Sequence, residues 1–187
     1  TLLNPLKEEI QKTMWHNTKN LYKRDTSTTF YDCTNYYFEI EYNDEDKYEC
    51  DADGNVIKDE NNNPVIKEKG LRKRGPEKNK RPDPIVEMGL LMDKTGIPLS
   101  YDLFPGNESE KKSLIPIIKR TKKDYDFGRT IVVADRGLNT SENIIHLSGT
   151  SLEQEKKING YGYGQSGRGA GEEFKNWVLE QDETTDL

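Results

Sequence analysis

Apolar residues along the first stretch of the chain recur at the helical period: Leu6, Ile10, Met14 or Trp15, and Leu21. That spacing predicts an amphipathic packing helix over 4–24. Asn4-Pro5 supplies an N-cap and a proline at the first helical position. The pattern then changes. Residues 28–42 are dense in β-formers and predict a strand over 28–33, a turn near Thr34-Asn35 and a second strand over 36–42. Pro84 to Asp93 reads as a strand, Lys94-Thr95-Gly96 as a turn, and Ile97 to Phe104 as its hairpin partner. Pro98 places that partner at a sheet edge or at a bulge. Pro105 to Glu108 is a turn into a helix from about Glu110 to Lys123, with Leu114, Ile117 and Ile118 as its buried stripe. Pro116 falls inside that span, so the helix starts either near Glu110 or at Pro116. The apolar β-branched run ending at Ala134 predicts a buried strand over 129–134. Asn139-Thr140-Ser141-Glu142 opens a helix over 141–148. Gly160 to Gly169 is a Tyr/Gly strand or loop without the Gly-Lys-Ser/Thr of a phosphate-binding loop. Phe174, Trp177 and Val178 suggest a last helix.

Between the two β regions the periodicity disappears. Residues 43–69 are acidic and of low complexity, with two short β-like pieces, Val56 to Lys58 and Pro64 to Ile66, predicting a protruding hairpin. Asp51-Ala52-Asp53-Gly54-Asn55 lacks the glycine and glutamate register of a calcium loop, so a solvated insert is the reading. Residues 71–82 reverse the sign: Arg72, Lys73, Arg74, Lys78, Lys80 and Arg81 stand against one anion, Glu77. Such a run either touches phosphates without reading bases or is simply solvated.

Composition narrows the picture only a little. The chain has 187 residues, 32% hydrophobic and 33% charged, with net charge -6 and mean hydropathy -0.99. The polarity is concentrated in the insert, so the remainder can still bury a core. The overall acidity does not suggest a global nucleic-acid binder. Cys33 and Cys50 form no CxxC pair, and with only His16 and His146 beside them there is no zinc spacing. They read as two reduced cytosolic thiols. No signal peptide or membrane-spanning run is evident. The start at Thr1 and the acidic end suggest a piece of a longer protein.

The candidate chemistry lies at Asp135, delivered by a buried strand to its C-terminal end, and at Asp32, in an aromatic β-rich segment where an unpaired carboxylate is costly. Asp32 either caps a local turn through backbone donors or meets a cation. Two carboxylates converging at one sheet rim repel unless a divalent cation neutralises them, and magnesium suits such a site.

Three landmarks, Tyr31-Asp32-Cys33-Thr34, Phe104-Pro105-Gly106-Asn107 and Val133-Ala134-Asp135-Arg136-Gly137, resemble those of bacterial insertion-sequence transposases of the DDE type. The resemblance runs from about residue 28 to 180. It implies an α/β fold, a ribonuclease-H-like mixed sheet flanked by helices, here incomplete and carrying an acidic hairpin-like insert. After the packing-helix region over 1–27 it implies a partial catalytic core over 28–187, with the insert at 43–70 and, over 150–187, the start of an insertion before the missing Glu helix. Asp32 and Asp135 would be the first two members of an Asp-Asp-Glu triad that binds Mg2+, with Mn2+ able to substitute. The implied activity is metal-dependent cleavage of DNA at element ends and strand transfer, by a homo-oligomer on paired ends, in a cytoplasmic protein associated with the nucleoid when acting. The family's Glu box, with Tyr, Arg, Glu and Lys along a helix, is missing: Glu172, Glu173, Glu180 and Glu183 lack its context, so the third ligand is expected beyond Leu187. Arg136 either orients Asp135 or touches a phosphate, and Arg168 is a candidate DNA contact with the basic run. Gly106 is expected to permit a turn and Asn107 to cap the following helix. The competing readings are a truncated, inactive remnant that at most binds DNA, and a ribonuclease-H-like nuclease that cuts without joining.

Overall fold

A computed structural model describes residues 4–76, 82–125, 128–148, 160–164 and 170–182. Its strands are β1 (Thr28–Tyr37), β2 (Lys47–Tyr48), β3 (Ile66–Glu68), β4 (Ile85–Met92), β5 (Pro98–Pro105), β6 (Ile131–Ala134) and β7 (Gly160–Tyr163). Its α-helices are α1 (Lys7–Lys19), α2 (Leu114–Tyr125), α3 (Ser141–Ser148) and α4 (Glu172–Asp182).

Five strands form one mixed sheet in the order β5-β4-β1-β6-β7. β1 pairs antiparallel with β4, and β4 antiparallel with β5. On the other side β1 runs parallel to β6, and β6 parallel to β7. An antiparallel three-strand meander followed by two parallel strands added beside its first member is the ribonuclease-H-like arrangement, as expected. Alternation along the strands sends Tyr31, Leu91, Val132 and Ala134 to one face, where they meet Leu114, Ile117 and Ile118 of α2 and Leu147 of α3. Pro116 is no obstacle, because it lies in the first turn of α2, where its missing N–H has no intrahelical partner to lose.

Several elements differ from expectation, each for a physical reason. β1 is one continuous strand, without a turn at Thr34-Asn35. Thr34 pairs with Met88 and Asn35 with Glu87, so the ladder with β4 carries the backbone straight through. The first helix begins at Lys7, after a 3-10 turn over Asn4–Leu6, and ends at Lys19. Of its expected apolar stripe Trp15, the alternative to Met14, packs inward with Gln11, whereas Leu6, Ile10, Met14 and Leu21 are exposed. Trp15 stacks on Tyr125 at 5.6 Å and donates its indole N–H to the Tyr125 carbonyl at 3.1 Å. Gln11 accepts the Tyr101 N–H at 2.8 Å, covering the edge strand β5. Polar contacts to that edge therefore turn the helix away from its more hydrophobic side.

The insert is more than a hairpin. Short antiparallel pairs join Cys50 to Val56, Lys58 to Pro64, and β2 to β3. At the centre the backbone N–H groups donate in a ring: Ile57 to Glu49 at 2.8 Å, Val65 to Ile57 at 2.9 Å, and Glu49 to Val65 at 2.9 Å. The two outer loops close alike. Asp51 accepts from the N–H groups of Asp53 and Asn55, and Asp59 from those of Asn61 and Asn63. The result is a three-armed clover whose stem is β2 and β3.

The Pro105-Gly106-Asn107 landmark is a packing device. A Cβ on Gly106 would lie 2.1 Å from the Ile85 carbonyl oxygen and 2.6 Å from that of Lys73. Gly106 is thus required for close backbone approach, with no positive φ involved. The expected cap from Asn107 is not seen among the described hydrogen bonds. Ser109 sits at the start of the next 3-10 turn without a side-chain bond. Gly106→Ala is expected to cost about 1–3 kcal/mol as overpacking, measured as a lowered urea midpoint with unchanged slope.

Candidate functional site

Register brings the two aspartates together. In the parallel β1/β6 pair, Phe30 stands opposite Val133 and Tyr31 opposite Ala134. The next position along places Asp135 beside Asp32. Asp135 keeps extended backbone, φ -67° and ψ 160°, so strand alternation continues through it. Asp32 and Asp135 therefore share a face, the one opposite the core, at a strand separation of about 4.8 Å. Both are exposed. The same face carries Phe30 and Ile131, which stay partly open to solvent.

Each carboxylate is fixed by its own chain. Asp32 Oδ1 accepts the Cys33 N–H at 2.9 Å, and Asp135 Oδ1 accepts the Arg136 N–H at 2.7 Å. The latter caps the 3-10 turn Arg136–Leu138. Neither carboxylate has an ion-pair partner among the described residues. One oxygen of each is thus tied and the other is available. A magnesium ion takes one or two protein carboxylates and completes its shell with water and phosphate oxygens, so this donor pair fits it. Among the described residues no group of three His, Cys, Asp or Glu side chains could hold a metal ion.

The neighbours divide by face. Cys33 turns inward, where burial pushes its thiol up to about 11, unsuited to ligation or nucleophilic attack near neutrality. Tyr31 is also raised by burial and donates to Ser113 Oγ at 2.7 Å. Arg136 stands exposed on the turn after Asp135. Gly164, at the end of β7, lies beside the site: a Cβ there would come within 3.8 Å of Asp135 Oδ1. Glu110 was read from the sequence only as a helix start. Its Oε2 lies 4.0 Å from where a Gly137 Cβ would be, on the turn that follows Asp135. No spacing in the sequence announced that proximity.

The basic run is partly engaged by the insert. Arg72 pairs with Asp44 at 2.6 Å and Lys73 with Asp46 at 2.9 Å. Hydrogen bonding from Arg72 holds the Asp44 carboxyl below the usual carboxylate range, and that from Lys73 does the same for Asp46. Arg74 donates to the carbonyls of Pro82 and Glu41 at 2.7 and 2.6 Å. Lys78, Lys80, Arg81 and Arg168 lie outside the described residues. No helix among the described residues is long and apolar enough to cross a membrane.

No protein-family model matches the chain, and no curated protein matches it. Among solved structures it is similar to the Mos1 transposase paired-end complex with left transposon end, at 11% identity and TM-score 0.38, over 96% of this chain and 55% of that one. It is similar also to the Mos1 mariner paired end complex with Mn, at 13% identity and TM-score 0.36, over 98% of this chain and 56% of that one. The chain spans a little over half the length of these transposase chains.

Proposed function

We propose that this chain is part of a DDE-type transposase catalytic core of the insertion-sequence class, performing metal-dependent phosphoryl transfer on DNA. The observation that carries the reading is the register that sets Asp32 and Asp135 side by side on an exposed sheet face. Asp32 and Asp135 would hold Mg2+, or Mn2+ in its place. When bound, the metal activates the attacking oxygen and stabilises the leaving one. The chain's own part is positioning. The Cys33 and Arg136 N–H groups hold one oxygen of each carboxylate, which limits the rotation of both side chains. The exposed face leaves room for a DNA backbone to reach both. Arg136 offers a cation for a phosphate beside Asp135. The third carboxylate and the paired-end homo-oligomer belong to the same proposal, as does a cytoplasmic setting.

A second reading, a remnant that binds DNA without catalysis, is favoured by one observation: the described residues contain no complete metal-binding trio. The test is incubation of the chain with supercoiled and linear duplex DNA under Mn2+, scored for nicks and for joined products. Metal-dependent nicks with joining support the transposase; nicks without joining support a simple nuclease. DNA binding without any cutting supports the remnant.

Salt dependence sorts the cations. Arg136→Gln is expected to reduce the slope of log K against log salt by about 0.9, the share of one phosphate contact. Arg72→Gln and Lys73→Gln are expected to change it far less, because each cation already faces an aspartate. Lys78, Lys80, Arg81 and Arg168 are proposed phosphate contacts on their charge alone.

A further inference from the structure

On the core side of the sheet, two buried side-chain oxygens at opposed positions have no hydrogen-bond partner. Glu87 on β4 is 3% exposed, and its Oε1 has no hydrogen-bond partner. Asn35 on β1 stands directly opposite in register, and its Oδ1 is likewise buried and unpartnered. Side chains at opposed positions of an antiparallel pair have Cβ atoms about 4.5–5.5 Å apart, within hydrogen-bonding reach. An ionised carboxylate can only accept, so it cannot satisfy the amide oxygen. A protonated one can, because its O–H supplies the missing donor.

We propose that Glu87 stands in the folded protein as a neutral carboxylic acid whose O–H donates to Asn35 Oδ1, a proton-dependent lock between β1 and β4. The surroundings favour that form. No cation pairs with Glu87 among the described residues. The negative charges of Glu110 and Glu108, in the segment leading into α2, act in the same direction, whereas hydrogen bonds from the Cys33 thiol and the Ser113 hydroxyl oppose it and are outweighed by burial. Burial, reinforced by Glu110 and Glu108, pushes the Glu87 carboxyl up to about 7. The lock closes three residues from Asp32 on the same strand, so it steadies the strand that carries the candidate site.

The sign of the pH effect follows. Folding raises the proton affinity of Glu87. Its stabilising contribution is therefore complete below the ordinary carboxylate range, falls as pH rises, and is gone once pH passes about 7. Each unit of raised pKa corresponds to tenfold in the folding equilibrium. Urea unfolding of the full chain between pH 5 and 8 should show the unfolding constant of wild type rising by about a hundredfold relative to Glu87→Gln, whose amide keeps a donor without titrating. Infrared spectra of wild type should show a buried carboxylic-acid carbonyl stretch at pH 6 that disappears by pH 8. This spectrum needs no variant, so it decides the matter even if Glu87→Gln folds poorly. A flat wild-type/variant difference across this range, or the absence of the acid stretch at pH 6, overturns the proposal. In that case Glu87 is ionised and the Asn35 amide is turned to donate to it.

Discussion

Asp135→Asn is expected to abolish metal-dependent DNA cleavage, and Asp32→Asn to do the same, each lowering the rate by about 10³-fold or more. The size follows from the chemistry assigned to the pair. Asp32 and Asp135 would together hold the divalent ions that supply activation of the attacking oxygen and stabilisation of the leaving one, so losing either ligand charge would weaken both. Residues that act as one unit are also strongly non-additive, so the double variant should be scarcely slower than either single one. The fold should survive. Both side chains are exposed, and Asn keeps an oxygen that can accept the Cys33 or Arg136 N–H now bound by the aspartate. Unchanged thermal melting with lost Mn2+-dependent nicking is the expected pair of results. Nicking that persists in both variants removes these residues from the chemistry.

The second large effect lies on the opposite side of the sheet order, at an ion pair the fold has buried. Arg24, before β1, pairs with Asp93 at the end of β4, and their side chains are 3% and 0% exposed. Asp93 accepts from the Thr95 N–H and hydroxyl and from the Ile97 N–H, closing the β4–β5 turn. Arg24 donates to the carbonyls of Ile97 and Pro98 at 3.0 and 2.8 Å and lies over the Trp15 ring. Burial pushes the Asp93 carboxyl up, but the Thr95 and Arg24 hydrogen bonds outweigh it and hold the group below its ordinary value. Removing either partner strands a buried charge, so Arg24→Ala or Asp93→Ala is expected to cost about 3–5 kcal/mol. That is a large share of the roughly 5–15 kcal/mol that holds a domain folded. Arg24→Met combined with Asp93→Leu should cost less than either single change, because no charge is left unpaired. The carboxyl is lowered in the folded state, so its contribution is present above the ordinary carboxylate range and fades as pH falls through the folded value. Urea unfolding at pH 7 and pH 3 measures both effects.

The pieces differ in how far they were legible. β-branched runs and turn residues predicted the β4–β5 hairpin and β6, because those signals are local. Thr140, next to Ser141, caps α3 by accepting the Asn143 N–H at 3.2 Å, as the sequence of that segment suggested. The turn assigned to Thr34-Asn35 failed because a paired strand β4 overrides a weak local turn preference. Trp15 of the expected helix stripe does pack inward, but the rest of that stripe stays exposed, because Gln11 and Trp15 are held by partners on β5 and α2, far along the chain. The clover insert was legible in part. Asp51 and Asp59, and Asn55 and Asn63, recur eight residues apart, as do the ring members Glu49, Ile57 and Val65. A period of eight matches neither helix nor strand, so the repeat by itself predicts no regular element.

For the candidate site the division is sharper. The sequence by itself singled out the candidate residues: two aspartates, each in a recognisable local setting, one within a strand and one just past a strand end. It also determined β4, β5 and β6, whose signals are local, but not the continuity of β1 or the strands of the insert. Only the tertiary structure decided that the two meet, because adjacency of β1 and β6 is a matter of sheet order and register, which no local preference encodes. The same holds for Glu87 and Asn35, ordinary polar residues in sequence. The fold sets them opposite each other in register and leaves an oxygen of each buried without a partner. Burial and register arise from the whole packed chain, and they turn separate side chains into a site.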